Sequence, residues 1–130
     1  MKDLIEVALE DARREKAAGR VEKAEGHYRR AAELARACRD ERLLAHALRH
    51  MSDLALARGA VHEAWEQASE AVALYRRSGD QLGLANALRL QALSAEEPQK
   101  AKSCWREARE LYGSLDISAG VAECVRHLGE

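Results

Sequence analysis

The stretch LYRRSGDQLGLANALR (Leu74–Arg89) repeats the pattern of LARACRDERLLAHALR (Leu34–Arg49), which lies forty residues earlier in the chain. Eight of the sixteen positions carry the same residue. In both copies an aspartate follows a short break, and apolar residues then recur at helical spacing. A helix, a turn and a second helix are therefore predicted in each copy, and the chain is predicted to use this unit more than once.

The repeat extends over the whole chain in one register. At an offset of 40 residues the matches are Ala17/Ala57, Gly19/Gly59, Val21/Val61, Ala24/Ala64 and Ala31/Ala71. At an offset of 37 they are Ala64/Ala101, Glu70/Glu107, Ala71/Ala108, Leu74/Leu111, Tyr75/Tyr112, Gly83/Gly120, Ala85/Ala122 and Arg89/Arg126. The missing three residues fall between Arg89 and Leu93, which predicts that the fifth helix is nearly one turn short.

Seven helices are predicted, over residues 2–18, 20–38, 41–58, 60–78, 81–94, 97–113 and 116–129. No stretch alternates with a period of two for long enough to predict a strand. Glycine suits the left-handed residue that ends a helix, and aspartate accepts hydrogen bonds from the first backbone N–H groups of the next one. A fixed period built from two helices indicates an all-α solenoid of helical hairpins, forming a single domain over residues 1–130.

Composition excludes several classes of function. The formal net charge of −1 provides no overall attraction for nucleic acid or for an anionic membrane. The first residues, MKDLIEVALEDARREK, are too highly charged for a signal peptide or a membrane span. The three cysteines, Cys38, Cys104 and Cys124, lack CxxC spacing, which favours reduced thiols buried in the core of a cytoplasmic protein.

Small residues at fixed places in each hairpin make the chain resemble the tetratricopeptide repeat family. The sets of small residues are Ala12/Ala24/Ala31, Ser52/Ala64/Ala71 and Ala92/Ala101/Ala108. The usual proline at the end of each repeat is missing, and the period of about 40 resembles that of a longer-repeat branch found in many bacterial regulators. The resemblance implies a right-handed α-solenoid with repeats at 2–38, 41–78 and 81–113, a capping helix at 116–129, and a non-enzymatic role in binding a protein partner.

The resemblance also implies that the first helix of each repeat lines a concave groove. Three pairs would then share this groove, His46 with Arg49, Asn86 with Arg89, and Glu123 with Arg126, and the same wall would hold Arg13, Lys16, Asp53 and Leu56. A ladder of three arginines suggests an acidic peptide or a C-terminal carboxylate as the ligand. The alternative is that the arginines are solvated, or are neutralised by carboxylates such as Asp53 and Glu123.

Other chemistry has weaker support in the sequence. His46, His50 and Asp53 share a helix face and could hold a metal, but Ala47 stands where a zinc hydrolase has its glutamate, so a surface coincidence is favoured. Cys124 and His127 lie one turn apart without a carboxylate partner, and no phosphate-binding loop occurs. We therefore expect no enzyme activity, no metal and no cofactor.

Self-association is the main alternative to peptide binding. The first helix carries apolar side chains over much of its circumference, at Leu4, Ile5, Val7, Ala8 and Leu9, and no preceding repeat covers them. A homodimer formed through this helix, or through the last one, would make the chain a structural assembly protein.

Overall fold

A computed structural model describes residues 2–130, and this part of the chain contains seven helices and no strand. The helices are α1 (Lys2–Ala17), α2 (Val21–Ala37), α3 (Glu41–Ala57), α4 (Val61–Ser78), α5 (Gln81–Ser94), α6 (Pro98–Ser114) and α7 (Ser118–Leu128). Each helix packs against the next one along the chain, and α3 also contacts α5. The fold is the predicted all-α solenoid of helical hairpins, and α5 is short as expected, with 14 residues against 17 in α3.

Small side chains allow the two helices of each hairpin to approach closely. Ala12 and Ala24 are fully buried between α1 and α2. Ser52 takes the equivalent place in α3, where its hydroxyl donates a hydrogen bond of 2.8 Å to the carbonyl oxygen of Ala64 in α4. The hydroxyl is therefore satisfied inside the core and adds a polar link to the packing of the second hairpin.

The packing between one hairpin and the next helix, which we call a joint, combines a large residue with a small one. In the joint between α4 and α5, the Tyr75 ring lies directly over Gly83, where any Cβ would overlap the ring. In the joint between α6 and α7, Tyr112 lies over Gly120, and a Cβ there would approach the ring to 2.5 Å. These glycines are required because an aromatic ring occupies the space of a side chain.

Two aspartates cap helices as predicted, but a third does not. Asp40 accepts a hydrogen bond from the backbone N–H of Leu43 (3.0 Å), and Asp80 accepts one from that of Gly83 (2.8 Å). Asp116, which was expected to begin the last helix, instead adopts a left-handed conformation with φ of 58° after α6. The capping helix therefore spans Ser118–Leu128 rather than 116–129, because the turn that precedes it occupies the extra residues.

The cysteines differ in exposure more than the sequence suggests. Cys124 is fully buried in the core and Cys104 is partly buried, and burial raises the pKa of both thiols. Cys38 is exposed, so its assignment to the core was wrong. It forms the C-terminal cap of α2, at a turn where the chain leaves the core. Within residues 2–130, no helix is long and apolar enough to cross a membrane.

Candidate binding groove

Side chains of the first helices line a groove with two neighbouring sections, and the His50 ring belongs to both. The N-terminal section has a volume of about 230 Å³ and is lined by Glu6, Leu9, Glu10, Arg13, Tyr28, His46 and His50. The central section has a volume of about 190 Å³ and is lined by Lys16, Arg49, His50, Asp53, Asn86, Arg89 and Leu90. Because the two sections are contiguous, one extended ligand could occupy both.

Arg49 is the cation of the central section that has no carboxylate partner among the described residues. Its Nε atom is buried and has no hydrogen-bond partner among the described residues. Its Nη2 atom lies 3.5 Å from Nε2 of His50, at the outer limit of a hydrogen bond. A buried donor without an acceptor is costly, so an oxyanion that entered the groove would gain from binding here.

His50 separates two cations and cannot satisfy both of them. Its Nδ1 atom lies 3.5 Å from Nζ of Lys16, while its Nε2 atom faces Arg49. A neutral imidazole has a single acceptor nitrogen, so one of the two cations must face an N–H group. Burial, followed by the positive charge of Arg49, lowers the pKa of His50 to about 3, so the ring stays neutral at ordinary pH. The centre of the groove therefore has more donors than acceptors.

Aromatic contacts hold the His50 ring in this position. The ring stacks on Tyr28 with 5.0 Å between centroids, and His46 meets it edge-on at 4.6 Å. Burial is also the first cause of the lowered pKa of His46. These contacts restrict the rotation of His50 and so keep its nitrogens directed at the two cations.

Internal carboxylates neutralise the other two cations of the central section. Nε of Arg89 lies 2.5 Å from Oε1 of Glu123 in α7, and the hydrogen bond between them is the first cause of the lowered pKa of Glu123. Nζ of Lys16 lies 2.9 Å from Oδ2 of Asp53. The section and its paired carboxylates thus hold three cations and two anions, which leaves one positive charge, and Arg49 carries it.

Asn86 is oriented by a tyrosine from the second helix of its own hairpin. The Tyr112 hydroxyl donates a hydrogen bond of 2.7 Å to Oδ1 of Asn86. This bond fixes the amide so that its NH₂ group remains available as a donor beside Arg49 and Arg89. The carboxamide therefore adds to the surplus of donors in the central section.

The structure brings together most, but not all, of the residues predicted for the groove. Arg13 and His46 lie in the N-terminal section, and the central section holds five more: Lys16, Arg49, Asp53, Asn86 and Arg89. Arg126 is exposed and lines neither section, so the ladder of three arginines does not form. Arg13 forms an exposed ion pair with Glu10 at 2.6 Å.

Sequence reasoning missed the structural roles of His50 and Tyr112. The sequence indicates only a possible metal ligand at His50, although the spacing of four residues from His46 places it on the groove wall. Tyr112 matches Tyr75 in the repeat, and that match does not indicate a contact with Asn86. The sequence does contain one signal for a shared role of the two tyrosines. Each is paired with a glycine at an equivalent position of the repeat, Tyr75 with Gly83 and Tyr112 with Gly120.

His46, His50 and Asp53, which share a helix face, do not form a metal site in the part of the chain that the structure describes. His46 and His50 face each other edge-on, and Asp53 is bonded to Lys16. Within residues 2–130 no group of three or more histidine, cysteine, aspartate or glutamate side chains is arranged to hold a metal ion.

No protein family model matches this chain, and no curated protein is significantly similar to it.

Proposed function

We propose that this protein is a cytoplasmic, non-enzymatic interaction module of tetratricopeptide-like hairpins, and that it binds a peptide segment of a protein partner in its groove. A groove of this kind is formed before the ligand arrives, so binding costs little ordering of the protein itself. Three cysteines without a disulfide are compatible with a reducing compartment. Arg49 takes a carboxylate of the peptide in this proposal.

The buried, unpartnered Nε atom of Arg49 is the observation that supports the proposal most directly. The neighbouring cations already have carboxylate partners within the fold, at Glu123 and Asp53. A single added carboxylate would balance the remaining positive charge and supply the acceptor that Nε of Arg49 and the N–H group of His50 lack. A guanidinium can bind a carboxylate through two parallel hydrogen bonds, which gives affinity and orientation together.

A peptide library synthesised in two forms tests this function. One form ends in a free carboxylate and the other in an amide, and both include acidic and neutral sequences. We expect the wild-type protein to enrich carboxylate-bearing peptides, either at the C-terminus or at an internal Asp or Glu, and the two forms distinguish these sources. Binding of the selected peptide is then measured by fluorescence anisotropy.

Arg49→Gln should weaken binding of the selected peptide about a hundredfold, because a charged hydrogen-bond donor is lost from a partly buried site. Arg42→Gln is the matched control, since Arg42 lies on the same helix but is exposed and lines neither section. Equal affinity of the two variants would contradict the proposal. So would enrichment of peptides that carry no carboxylate.

Self-association is a second candidate, and the first helix favours it. Leu4 and Val7 are 54% and 58% exposed and lie one turn apart. The apolar surface is narrower than expected, because Ile5 and Ala8 are buried against the following helices. Light scattering tests this candidate, with a dimer in the wild type and a monomer in Leu4→Gln/Val7→Gln as the expected result.

A further inference from the structure

A second groove, on another part of the surface, is acidic. It lies between α2 and α4, has a volume of about 560 Å³, and is lined by Arg36, Leu48, His62, Glu63, Glu66, Gln67 and Glu70. We call it the acidic groove. Glu63, Glu66 and Glu70 fall three and four residues apart, so they share one face of α4.

The fold does not require this acidity, as the equivalent positions of the other hairpins show. The residues at the positions of Glu63, Glu66 and Glu70 are Lys23, Gly26 and Arg30 in α2, and Lys100, Ser103 and Glu107 in α6. The one carboxylate that α4 shares with α6 forms the same ion pair in both, Arg36–Glu70 at 2.7 Å and Arg76–Glu107 at 2.6 Å. The equivalent helices of the other hairpins fold without carboxylates at these two positions, so the fold does not need Glu63 and Glu66.

Gln67 supplies an independent sign that the acidic groove lacks a donor. Its side-chain carbonyl oxygen is buried and has no hydrogen-bond partner among the described residues. The equivalent residue of α6, Cys104, is satisfied by a contact of 3.4 Å from its sulfur to Oε1 of Gln91. Rotation of the Gln67 side chain would present its oxygen to an N–H donor in the groove, and this would remove the cost of leaving it unpaired.

A neighbouring depression, which shares His62 with the acidic groove, already holds a cation next to an aromatic ring. It is lined by His62, Trp65, Ser94, Glu96, Glu97 and Lys100. Nζ of Lys100 lies 5.9 Å from the centroid of Trp65 and 3.4 Å from Oε1 of Glu97. An aromatic face beside carboxylates is an environment that favours ammonium and guanidinium groups.

The charges of the two depressions do not balance. Their carboxylates are Glu63, Glu66, Glu70, Glu96 and Glu97. Three cations face them, namely Arg36, Lys100 and Arg58, and Arg58 is shared between Glu63 and Glu25, whose carboxylate lies 2.9 Å from its Nε. Three negative charges remain when Glu25 is counted, and Glu66 has only the exposed His62 as a partner, at 2.6 Å.

From this arrangement we propose that the acidic groove binds a basic segment of a protein partner, with two arginine side chains lying along α4. Glu63 and Glu70 lie seven positions apart in the sequence, which corresponds to about 10.5 Å along the helix axis. In an extended peptide, arginines three residues apart are separated by about 10 Å, which matches this distance. The surface is distinct from the groove that contains Arg49 and attracts ligands of the opposite charge.

The peptide Ac-Arg-Gly-Gly-Arg-NH₂ is the probe, because its blocked ends leave the two guanidinium groups as its only charges. In a titration followed by ¹H–¹⁵N NMR, we expect the side-chain amide of Gln67 and the indole N–H of Trp65 to shift and saturate together. Ac-Glu-Gly-Gly-Glu-NH₂ should leave both resonances in place. Gln67→Met, which removes the acceptor while keeping the length of the side chain, should weaken binding about threefold.

Glu63→Lys/Glu66→Ser introduces the residues that α6 carries at the equivalent positions, so the fold should tolerate the change. We expect this variant to bind the arginine peptide about tenfold more weakly or worse. Glu33→Lys/Glu110→Ser is the matched control, since it changes the net charge by the same amount at exposed residues that form no ion pair within the described chain. Circular dichroism and thermal unfolding verify that both variants are folded.

Two results would overturn the proposal. If the control loses as much affinity as the α4 variant, the attraction depends on overall charge and not on the acidic groove. If the wild type saturates with no shift at Gln67 or Trp65, or does not bind at all, the groove is not a site for basic segments.

Discussion

The first two joints of the solenoid use equivalent positions with opposite residue sizes. In the joint between α2 and α3 the small residue is Ala35 and the large one is Leu43, both buried. Forty residues later, between α4 and α5, Tyr75 takes the place of the alanine and Gly83 that of the leucine. The joint between α6 and α7 repeats the second solution with Tyr112 and Gly120. The two kinds of joint fill a similar volume, but the large residue comes from α3 in the first joint and from α4 in the second.

The difference between the joints affects the groove as well as the core. The Ala35–Leu43 joint contributes only apolar atoms, whereas the tyrosines carry hydroxyl groups. Tyr112 donates to Asn86, and the guanidinium of Arg49 opposes the rise that burial causes in the pKa of Tyr75. A tyrosine–glycine joint therefore connects helix packing to the polar side chains that are proposed to bind a ligand, and the first joint cannot do so.

Gly83→Leu should strongly destabilise the second joint. The new side chain would overlap the Tyr75 ring, so we expect a loss of about 3 kcal/mol in the free energy of unfolding. If the ring were absent from this space, replacing a helical glycine would instead stabilise the chain. Urea denaturation followed by circular dichroism measures the difference.

The double variant Tyr75→Ala/Gly83→Leu recreates the first joint in the second and serves as the control. Tyr75→Ala alone should cost about 3 kcal/mol, because it leaves a cavity. The double variant should be more stable than either single variant, with a coupling free energy of about 2 kcal/mol or more. Additive losses would mean that the two residues do not share one space.

Asn86→Glu should remove the proposed ligand site without unfolding the protein. Asn86 in α5 and Glu123 in α7 are equivalent residues of the repeat, and Glu123 already neutralises Arg89 across the last joint. A glutamate at position 86 would neutralise Arg49 in the same way, so affinity for a carboxylate peptide should fall at least about tenfold. Fluorescence anisotropy measures the affinity. A peptide that still bound tightly to the Asn86→Glu variant would contradict the prediction. Asn86→Gln, which keeps the amide, is the matched control.

The ion pair across the last joint predicts a dependence of stability on pH. Arg89 lowers the pKa of Glu123 below its ordinary value of 4.5. A carboxyl whose pKa is lower in the folded state stabilises the fold above the unfolded pKa, and this stabilisation is lost as the pH falls from about 4.5 through the folded value. Glu123→Gln should therefore be less stable than the wild type at pH 7, by about 1 kcal/mol, and this difference should shrink as the pH falls below about 4.5. A constant difference from pH 7 to pH 3 would argue against the pair. Glu110→Gln, in an exposed position of α6, is the control.

The fold was predictable because the repeat itself encodes it. Glycines, small residues and capping aspartates recur at fixed offsets, and each has a local physical reason that needs no knowledge of distant contacts. The turn before α7 is the exception, because Ile117 occupies the N-cap position of that helix and Asp116 lies one residue earlier. An aspartate is compatible with either place, and only packing against α6 decides between them.

The groove was only partly predictable because its ion pairs cross the joints. The sequence pairs Asn86 with Arg89, and Glu123 with Arg126, because three residues separate the members of each pair on one helix. In the structure Arg89 instead pairs with Glu123, 34 residues away, and Arg126 is excluded from the groove. Distances across a joint depend on how far successive hairpins rotate, which a repeat pattern in the sequence does not specify.

Arg39→Gly should give the smallest effect, and in the opposite direction. Arg39 lies in the turn before α3 and has a φ of 59°, whereas Gly79, at the equivalent place before α5, has a φ of 76°. A left-handed conformation strains an arginine but not a glycine, so the substitution should stabilise the fold by about 0.5–1 kcal/mol. Arg39 is exposed and forms no ion pair within the described chain, so little is lost in exchange. Arg39→Ala is the control, since it removes the same side chain but keeps the strain and should give no such gain. Thermal unfolding measures the stability of both variants. If both gained equally, the charge of Arg39, and not its backbone conformation, would make the turn of the first joint weaker than that of the second.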